Sequence, residues 1–176
     1  EGFAGLSVRS VADQAGCSRG LVEHYLKNKA SLITAANHRA NETYMTRVSQ
    51  AAGEQMGLAA LKERLQQLLP YEENALNEWR VRVAFWQQAT HDQLIETSNH
   101  ESFRSVYDAI LADMRHAQAQ GEIPSTVPII EASEMVLFIV IGIATVCLGN
   151  AELRARRPLD RRVEMILRQL TLGDLT

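Results

Sequence analysis

The sequence predicts an all-α protein, and three observations indicate this class. In the long segments the apolar residues recur at i, i+3, i+4 and i+7, which is the period of an amphipathic helix. A sustained alternation of apolar and polar residues, typical of a half-buried strand, does not occur in the sequence. Hydrophobic residues make up 46% and charged residues 22% of the 176 positions, so the composition is that of a folded chain with its own core.

The first two helices are predicted from the residues at their ends. Ser7 is suited to cap the N-terminus of a first helix, and Gly16 to end that helix in a left-handed conformation. Ser18 then caps a second helix. Two short helices joined by a tight glycine-containing turn form a helix-turn-helix, whose second helix enters the major groove of DNA. Such a helix needs an outward side that is free of large apolar residues.

The remaining helices follow one another to the end of the chain. The third helix has more than twenty residues and spans about 30 Å, enough to join a small N-terminal unit to a separate bundle. We interpret the stretch ELRARRP before the last helix as a solvated basic loop. The predicted spans are about 30–51, 58–69 after a linker at 53–57, a helix through 74–90, 98–120 closed by Gly121 and two prolines, an apolar run at 135–149, and 159–172.

The two C-terminal helices predict a dimer. The run at 135–149 is apolar on every side, but it starts beside Glu131 and Glu134 and is shorter than the roughly 20 residues of a membrane span, so we expect no membrane insertion. A helix without a polar face must be covered all round, and in a small protein a partner chain supplies part of that cover. We therefore predict a homodimer through the helices at about 128–149 and 159–172, arranged as a four-helix interface.

Charge and cysteine content narrow the function classes. Residues 1–50 carry a net charge of +2 and the rest of the chain −5, which together give the overall −3, so a polyanion is attracted to the first part. Cys17 and Cys147 lack the spacing of metal ligands, and we interpret both as reduced residues of a cytoplasmic protein. The sequence predicts no metal and no cofactor.

The N-terminal string GFAGLSVRSVADQAGCSRGLVEHYLKNKASL is similar, nearly end to end, to the DNA-binding signature of the tetracycline-repressor (TetR-like) family of bacterial transcription regulators. The resemblance implies an all-helical homodimer in which a helix-turn-helix binds double-stranded operator DNA and a variable bundle binds a small-molecule effector. The family's first helix would precede Glu1, so we expect that helix to be missing from the given chain. The residues that carry the resemblance are Gly2, Phe3, Ser7, Val11, Ala12, Ala15, Gly16, Ser18, Gly20, Tyr25, Lys29 and Leu32.

A second resemblance lies in the C-terminal part. The string NEWRVRVAFWQQATHDQLIETSNHESFRSVYDAI looks like the BetI-type (betaine-synthesis repressor) subgroup, in which a Trp, a Phe-Trp pair and an Ala-x-His-Asp turn appear in this order. This likeness implies a quaternary ammonium effector held by a box of aromatic rings. The spacing alone does not show such a box. The candidate aromatic ligand contacts are Trp79, Trp86, Phe103, Tyr107 and Phe138.

Candidate DNA contacts follow from the helix-turn-helix and from the family pattern. Arg19 is placed either to donate two hydrogen bonds to guanine or to pair with a phosphate, and Lys29 at the start of the third helix is placed to meet a phosphate. Glu23 departs from the family pattern, where tyrosine is common; it either pairs with Arg19 or Lys27, contacts cytosine, or is repelled by phosphate. The full predicted set is Ser7, Ser18, Arg19, Gly20, Leu21, Glu23, His24, Tyr25 and Lys29.

These observations predict a ligand-responsive DNA-binding transcriptional regulator, most simply a repressor, with a DNA-binding domain at residues 1–50 and a ligand-binding and dimerisation domain at 51–176. A helical dimeric interaction module without DNA binding is the alternative. An enzyme is disfavoured, because a helix boundary near Thr97 is expected to split the titratable residues that cluster in this region. Those residues are His91, Asp92, Glu96 and His100.

Overall fold

A computed structural model of the chain describes residues 7–25 and 29–174, except the side chains of residues 29, 30 and 37. Every regular element in these ranges is helical, which confirms the all-α class. The elements are α1 Val8–Ala15, α2 Arg19–Tyr25, α3 Lys29–Gln50, α4 Gly57–Leu68, α5 Glu73–Ala89, α6 Gln93–Ala119, α7 Ile129–Gly149 and α8 Arg156–Leu172, with a 3-10 turn at Glu152–Arg154 before α8.

Helix α6 begins five residues earlier than the sequence pattern predicts. The carboxylate of Asp92 accepts hydrogen bonds from the backbone N–H groups of Leu94 (3.0 Å) and Ile95 (3.3 Å), so Asp92 is the N-cap. The predicted boundary near Thr97 is therefore wrong, and Glu96 and His100 lie in the same helix. Both are exposed, and the described residues contain no group of three or more His, Cys, Asp or Glu side chains arranged to hold a metal ion.

The predicted basic loop before the last helix is also partly wrong. Residues 152–154 form a 3-10 turn, and α8 starts at Arg156 rather than near Leu159. Pro158 lies in the first turn of α8, where its missing N–H would have no partner within the helix. The arginines at the start of α8 thus belong to the helix and not to a loop.

The main core is built around α6, which contacts α3, α4, α5 and α7. The spacing of apolar residues along each helix explains this arrangement, because one stripe on each of them is fully buried. Helix α4 contributes Leu61 and Leu65, and α6 contributes Ile110 and Met114, all with no measurable exposure. This core holds the C-terminal end of α3, the helix that connects the helix-turn-helix to the remaining helices.

Helix α3 contacts the other helices through two separate apolar clusters. Near its C-terminus, Tyr44 and Val48 are buried in the main core. Towards its N-terminus, Ile33 forms a second cluster with Phe85 of α5 and Ile95 of α6. The first half and the second half of α3 are thus held by different groups of side chains.

A buried arginine fastens the C-terminal end of α3. Arg64 of α4 donates from Nη1 to the carbonyl oxygen of Val48 at 2.5 Å, which satisfies one of the carbonyls that the last turn of a helix leaves unpaired. Its Nε and Nη2 donate to the carboxylate of Asp113 in α6 at 2.6 and 3.2 Å. Both side chains are almost completely buried, so three helices are joined by one charge-assisted network.

Helix α7 has one face that is buried in the core and an opposite face that is exposed. Within the described ranges it is the one helix long and apolar enough to cross a membrane, a test that the core helix of a water-soluble protein also passes. Val136, Val140 and Ala144 of α7 have no exposure and lie in the main core. The opposite face includes Phe138 and Val146, which are more than half exposed.

The Arg64 network predicts a large difference between two like substitutions in α6. Asp113→Asn leaves a buried guanidinium without its counter-charge and should lower the free energy of unfolding by about 3–5 kcal/mol. Asp108→Asn removes an exposed partner of Arg104 at 3.8 Å and should cost less than about 1 kcal/mol. Urea denaturation of both variants at one protein concentration measures the difference. Equal losses would show that the buried network does not stabilise the end of α3.

Candidate nucleic-acid interface and effector cavity

The helix-turn-helix is shaped by its end residues as predicted. Ser7 caps α1 in a capping box: the N–H of Ser10 donates to Ser7 Oγ and the N–H of Ser7 donates to Ser10 Oγ, both at 3.0 Å. Gly16 has φ 66° and ψ 28°, the left-handed conformation that ends the helix at little cost for glycine. Ser18 Oγ accepts from the N–H of Leu21 at 3.2 Å at the start of α2.

The inner side of this unit is small and apolar, and its outer side is open. Ala12 of α1 and Val22 of α2 are the buried residues of the two helices. Leu21 is 50% and Tyr25 75% exposed, so both side chains are accessible to a partner surface. Lys29 begins α3, but its side chain lies outside the described residues. The other eight predicted DNA contacts are all exposed: Ser7, Ser18, Arg19, Gly20, Leu21, Glu23, His24 and Tyr25.

Arg19 and Glu23 interact on the outward face of α2. Arg19 Nε donates to Glu23 Oε1 at 2.7 Å, an i, i+4 ion pair with side chains 68% and 43% exposed. This contact is one of the arrangements that the sequence left open for Glu23. The carboxylate orients the guanidinium and leaves its other donors to face outward.

Three of the five predicted aromatic ligand contacts come together, and two do not. Trp79 and Trp86 of α5 meet edge to face at 5.9 Å between ring centroids, and Phe103 of α6 lines the same small cavity of about 20 Å³. Phe138 contacts Phe103 at 6.0 Å but is half exposed on α7, and neither Phe138 nor Tyr107 lines the cavity. The indole N–H of Trp79 donates to the carbonyl of Leu68 at 2.7 Å, which gives this ring a structural role in closing α4.

A larger cavity of about 400 Å³ lies between α3, α5 and α6. This cavity lies along α3, between the two apolar clusters that attach this helix to its neighbours. Asn41 donates to Ser98 Oγ at 3.1 Å and Asn99 to the carbonyl of Phe85 at 3.4 Å, so amide side chains tie the three helices around it. Its lining consists of Ala40, Asn41, Asn74, Asn77, Glu78, Val81, Arg82, Phe85 and Asn99.

Arg82 lines both cavities and was not among the residues predicted from the sequence. Its Cζ lies 3.6 Å from the ring centroid of Tyr44 and 5.7 Å from that of Trp79. Burial lowers the pKa of the Arg82 guanidinium, whereas Tyr44 and Glu78 act in the opposite direction and Arg47 lowers it further. Burial likewise raises the pKa of the Tyr44 hydroxyl, whereas the positive charges of Arg82 and Arg47 lower it. A signal existed in the sequence, since Arg82 follows Glu78 by four residues and Trp79 by three on a predicted helix.

Solved structures of other proteins share the fold of this chain. It is similar to the structure of a transcriptional regulator from Rhodococcus sp. Rha1, with a TM-score of 0.82, 22% identity, and coverage of 98% of this chain and 89% of that one. It is also similar to a transcriptional-regulator candidate from Saccharomonospora viridis solved in complex with choline, with a TM-score of 0.86, 15% identity, and coverage of 94% and 86%. Both likenesses show a shared helical fold.

The sequence of the helical bundle defines the family. Residues 58–169 match the family model described as BetI-type transcriptional repressor, C-terminal, and the chain belongs to this family of TetR-like regulators. It is 27% identical over 123 residues to the HTH-type transcriptional regulator BetI of Burkholderia ambifaria and 28% over 119 residues to the HTH-type transcriptional regulator PksA of Bacillus subtilis. These matches cover 66% and 65% of this chain, but 61% and 53% of the relatives, so the matching part spans little more than half of the curated relatives' length.

Proposed function

We propose that the protein is a homodimeric transcriptional regulator that binds operator DNA through α2 and is released by a small-molecule effector bound among α3, α5 and α6. The single observation that carries this proposal is the outward face of α2, where polar and aromatic side chains are exposed around one buried valine. Arg19, Glu23, His24 and Tyr25 on this face are all exposed and available for contact with a duplex. Family membership and the fold support the proposal, and a cytoplasmic location accords with it.

The DNA-binding part comprises residues 1–50 and the effector and dimerisation part residues 51–176 in this proposal. Arg19 contacts guanine and Lys29 a phosphate, while Ser7, Ser18, Gly20 and Tyr25 bring the backbone and side chains against the duplex. Leu21, Glu23 and His24 complete the surface that faces the major groove. The two α2 helices of a dimer then reach half-sites about 34–36 Å apart.

The effector acts through α3. The cavity of about 400 Å³ touches Ala40 and Asn41 in the middle of this helix, between the cluster around Ile33 and the fixed end at Val48. A ligand at this position contacts the helix that carries the DNA-binding part and shifts the population towards a different angle of α3. Because the C-terminal end is held by Arg64, a change of angle moves the N-terminal end most.

The dimer forms through the exposed apolar face of α7 together with α8. Exposed apolar residues recur along α7 at intervals of three, four and seven, and α8 adds two more spaced by seven, the pattern of a helical stripe. Covering a stripe of this kind with a second copy gives a closed two-fold interface. The residues of the stripe are Met135, Phe138, Ile139 and Val146 on α7, and Met165 and Leu172 on α8.

A helical interaction module without DNA binding is the competing function, because Glu23 places a carboxylate on the face that meets phosphate. The two functions are separated by the salt dependence of duplex binding, measured with the full chain on operator fragments selected from random sequence. A regulator binds a selected duplex with an affinity that falls steeply as log[salt] rises, since the basic side chains displace counter-ions. Negligible binding that does not depend on salt supports the module.

Substitutions on the proposed DNA surface should have distinct effects. Arg19→Ala should weaken the selected operator by about 1–3 kcal/mol and relax the preference at one base position, whereas Lys29→Ala should weaken all duplexes alike. Arg104→Ala, which removes an exposed arginine of α6, is the control and should change neither. Fluorescence anisotropy with an operator series measures the three variants. Unchanged affinity of Arg19→Ala for every duplex would rule out the base contact.

A charge placed in the α7 stripe should dissociate the dimer. Val146→Asp buries an unpaired carboxylate in the proposed interface, so the variant should sediment as a monomer at concentrations where the parent chain is dimeric. Leu94→Asp adds the same charge at an exposed position of α6 and should leave the dimer intact. Analytical ultracentrifugation distinguishes the two. If Val146→Asp remains a dimer and Leu94→Asp does not, the interface does not lie on the exposed face of α7.

A further inference from the structure

The aromatic site that a cationic ligand would use is filled by the chain's own cation. A quaternary ammonium group binds over the faces of aromatic rings, held there by the ring quadrupole. In this chain the Arg82 guanidinium lies over Tyr44 at 3.6 Å, beside Trp79, in the cavity that Trp86 and Phe103 also line. The remaining volume of about 20 Å³ there has room for about one molecule of water and is far below the roughly 300 Å³ of the smallest small-molecule pockets.

The charges around Arg82 do not balance. Glu78 is the acidic side chain beside it, and Glu78 already forms a close ion pair with Arg47. Two guanidinium groups therefore share one carboxylate, which leaves an excess of one positive charge. Within the part of the chain that the structure describes, the buried Nε of Arg82 also has no hydrogen-bond acceptor. A buried donor without an acceptor is costly, and among the described residues the guanidinium of Arg82 lacks a carboxylate of its own because Glu78 is paired with Arg47.

The neighbouring cavity has room for that partner. Arg82 lines the space of about 400 Å³ as well, a volume within the range of small-molecule pockets, about 300–1,000 Å³. Phe85 and Val81 provide apolar surface there, and the amide of Asn99 provides polar atoms. Glu78 and Arg82 are the charged residues of the lining, and Glu78 is already paired. A ligand with a ring and one negative charge matches this combination.

We propose that the effector is a small aromatic or otherwise apolar monocarboxylate whose carboxylate binds the guanidinium of Arg82, and not a quaternary ammonium compound. The proposal rests on the effector site described under the proposed function and names its ligand class. The carboxylate accepts hydrogen bonds from the guanidinium of Arg82 at the cavity, while the apolar part of the ligand lies against Phe85 and Val81. Bound in this way, the ligand neutralises the excess charge beside α3.

The test uses ligands that differ only in charge. Benzoate, phenylacetate and 3-phenylpropionate are compared with their amides and with the corresponding primary amines, and choline is added as the quaternary ammonium probe. At a concentration ten times the dissociation constant, a bound acid should raise the Tm of the full chain by about 3–6 °C. At least one acid should do so, and its amide, its amine and choline should not. Failure of all three acids, or a larger shift with choline or an amine than with any acid, overturns the proposal.

Variants at Arg82 identify the group that binds. Arg82→Gln should abolish the shift produced by the acid, whereas Arg82→Lys, which keeps the charge but loses the planar pair of donors, should retain a smaller shift. Arg104→Gln is the matched control on the surface and should respond as the parent chain does. Far-UV circular dichroism confirms that each variant is folded before the titration. An acid that shifts Arg82→Gln as strongly as the parent chain contradicts the assignment.

Ligand class and regulator function are tested independently. The Tm titration contains no DNA, so its result stands even if the chain does not bind a duplex. Operator release by the same acid is then measured by anisotropy. An acid that binds through Arg82 without releasing operator supports the ligand class and counts against the proposed regulation.

Discussion

The hydrogen bonds from Arg64 to the carbonyl of Val48 and to Asp113 fix the C-terminal end of α3, and the arrangement of the other parts depends on this attachment. Helix α3 is the element that follows the helix-turn-helix and enters the core. In the proposed function its angle therefore sets the position of the helix-turn-helix. A buried guanidinium with both partners present holds one geometry, because moving it would leave a charge or a carbonyl unpaired. In the N-terminal half of α3, Ile33 packs in the apolar cluster with Phe85 and Ile95, and apolar contacts of this kind allow small shifts at lower cost.

Local signals in the sequence were sufficient for the helix-turn-helix. Ser7, Gly16 and Ser18 act on the residues next to them, so their roles as caps follow from residue type and spacing and agree with the structure. The start of α6 was missed because Asp92 was assigned to a turn, although its side chain is a good N-cap. The roles of Arg82 and Tyr44 were missed for a different reason. They depend on two helices distant in sequence packing side by side, which helical periodicity does not specify.

The same limit applies to the aromatic residues. The sequence offered Trp79, Trp86 and Phe103 as candidate ligand contacts, and the structure brings them to one cavity. Periodicity did not show that Phe138 faces outward, because α7 is apolar all round and its sequence does not distinguish the buried side from the exposed side. Polar residues give a helix its orientation, and where they are absent only the packed structure assigns each side chain to a face.

The most direct test of the account is the distance between the two DNA-binding parts of a dimer, because the central claim is that a ligand beside α3 changes their separation. Gln14 is exposed on α1 and carries a spin label as Gln14→Cys in a chain without Cys17 and Cys147. Pulsed electron resonance then records the distance between labels in the free, operator-bound and ligand-bound states. The account predicts one distance when operator is bound and a different one with a ligand that releases operator. An unchanged distance in the presence of a releasing ligand, or no intermolecular distance at all, would contradict it.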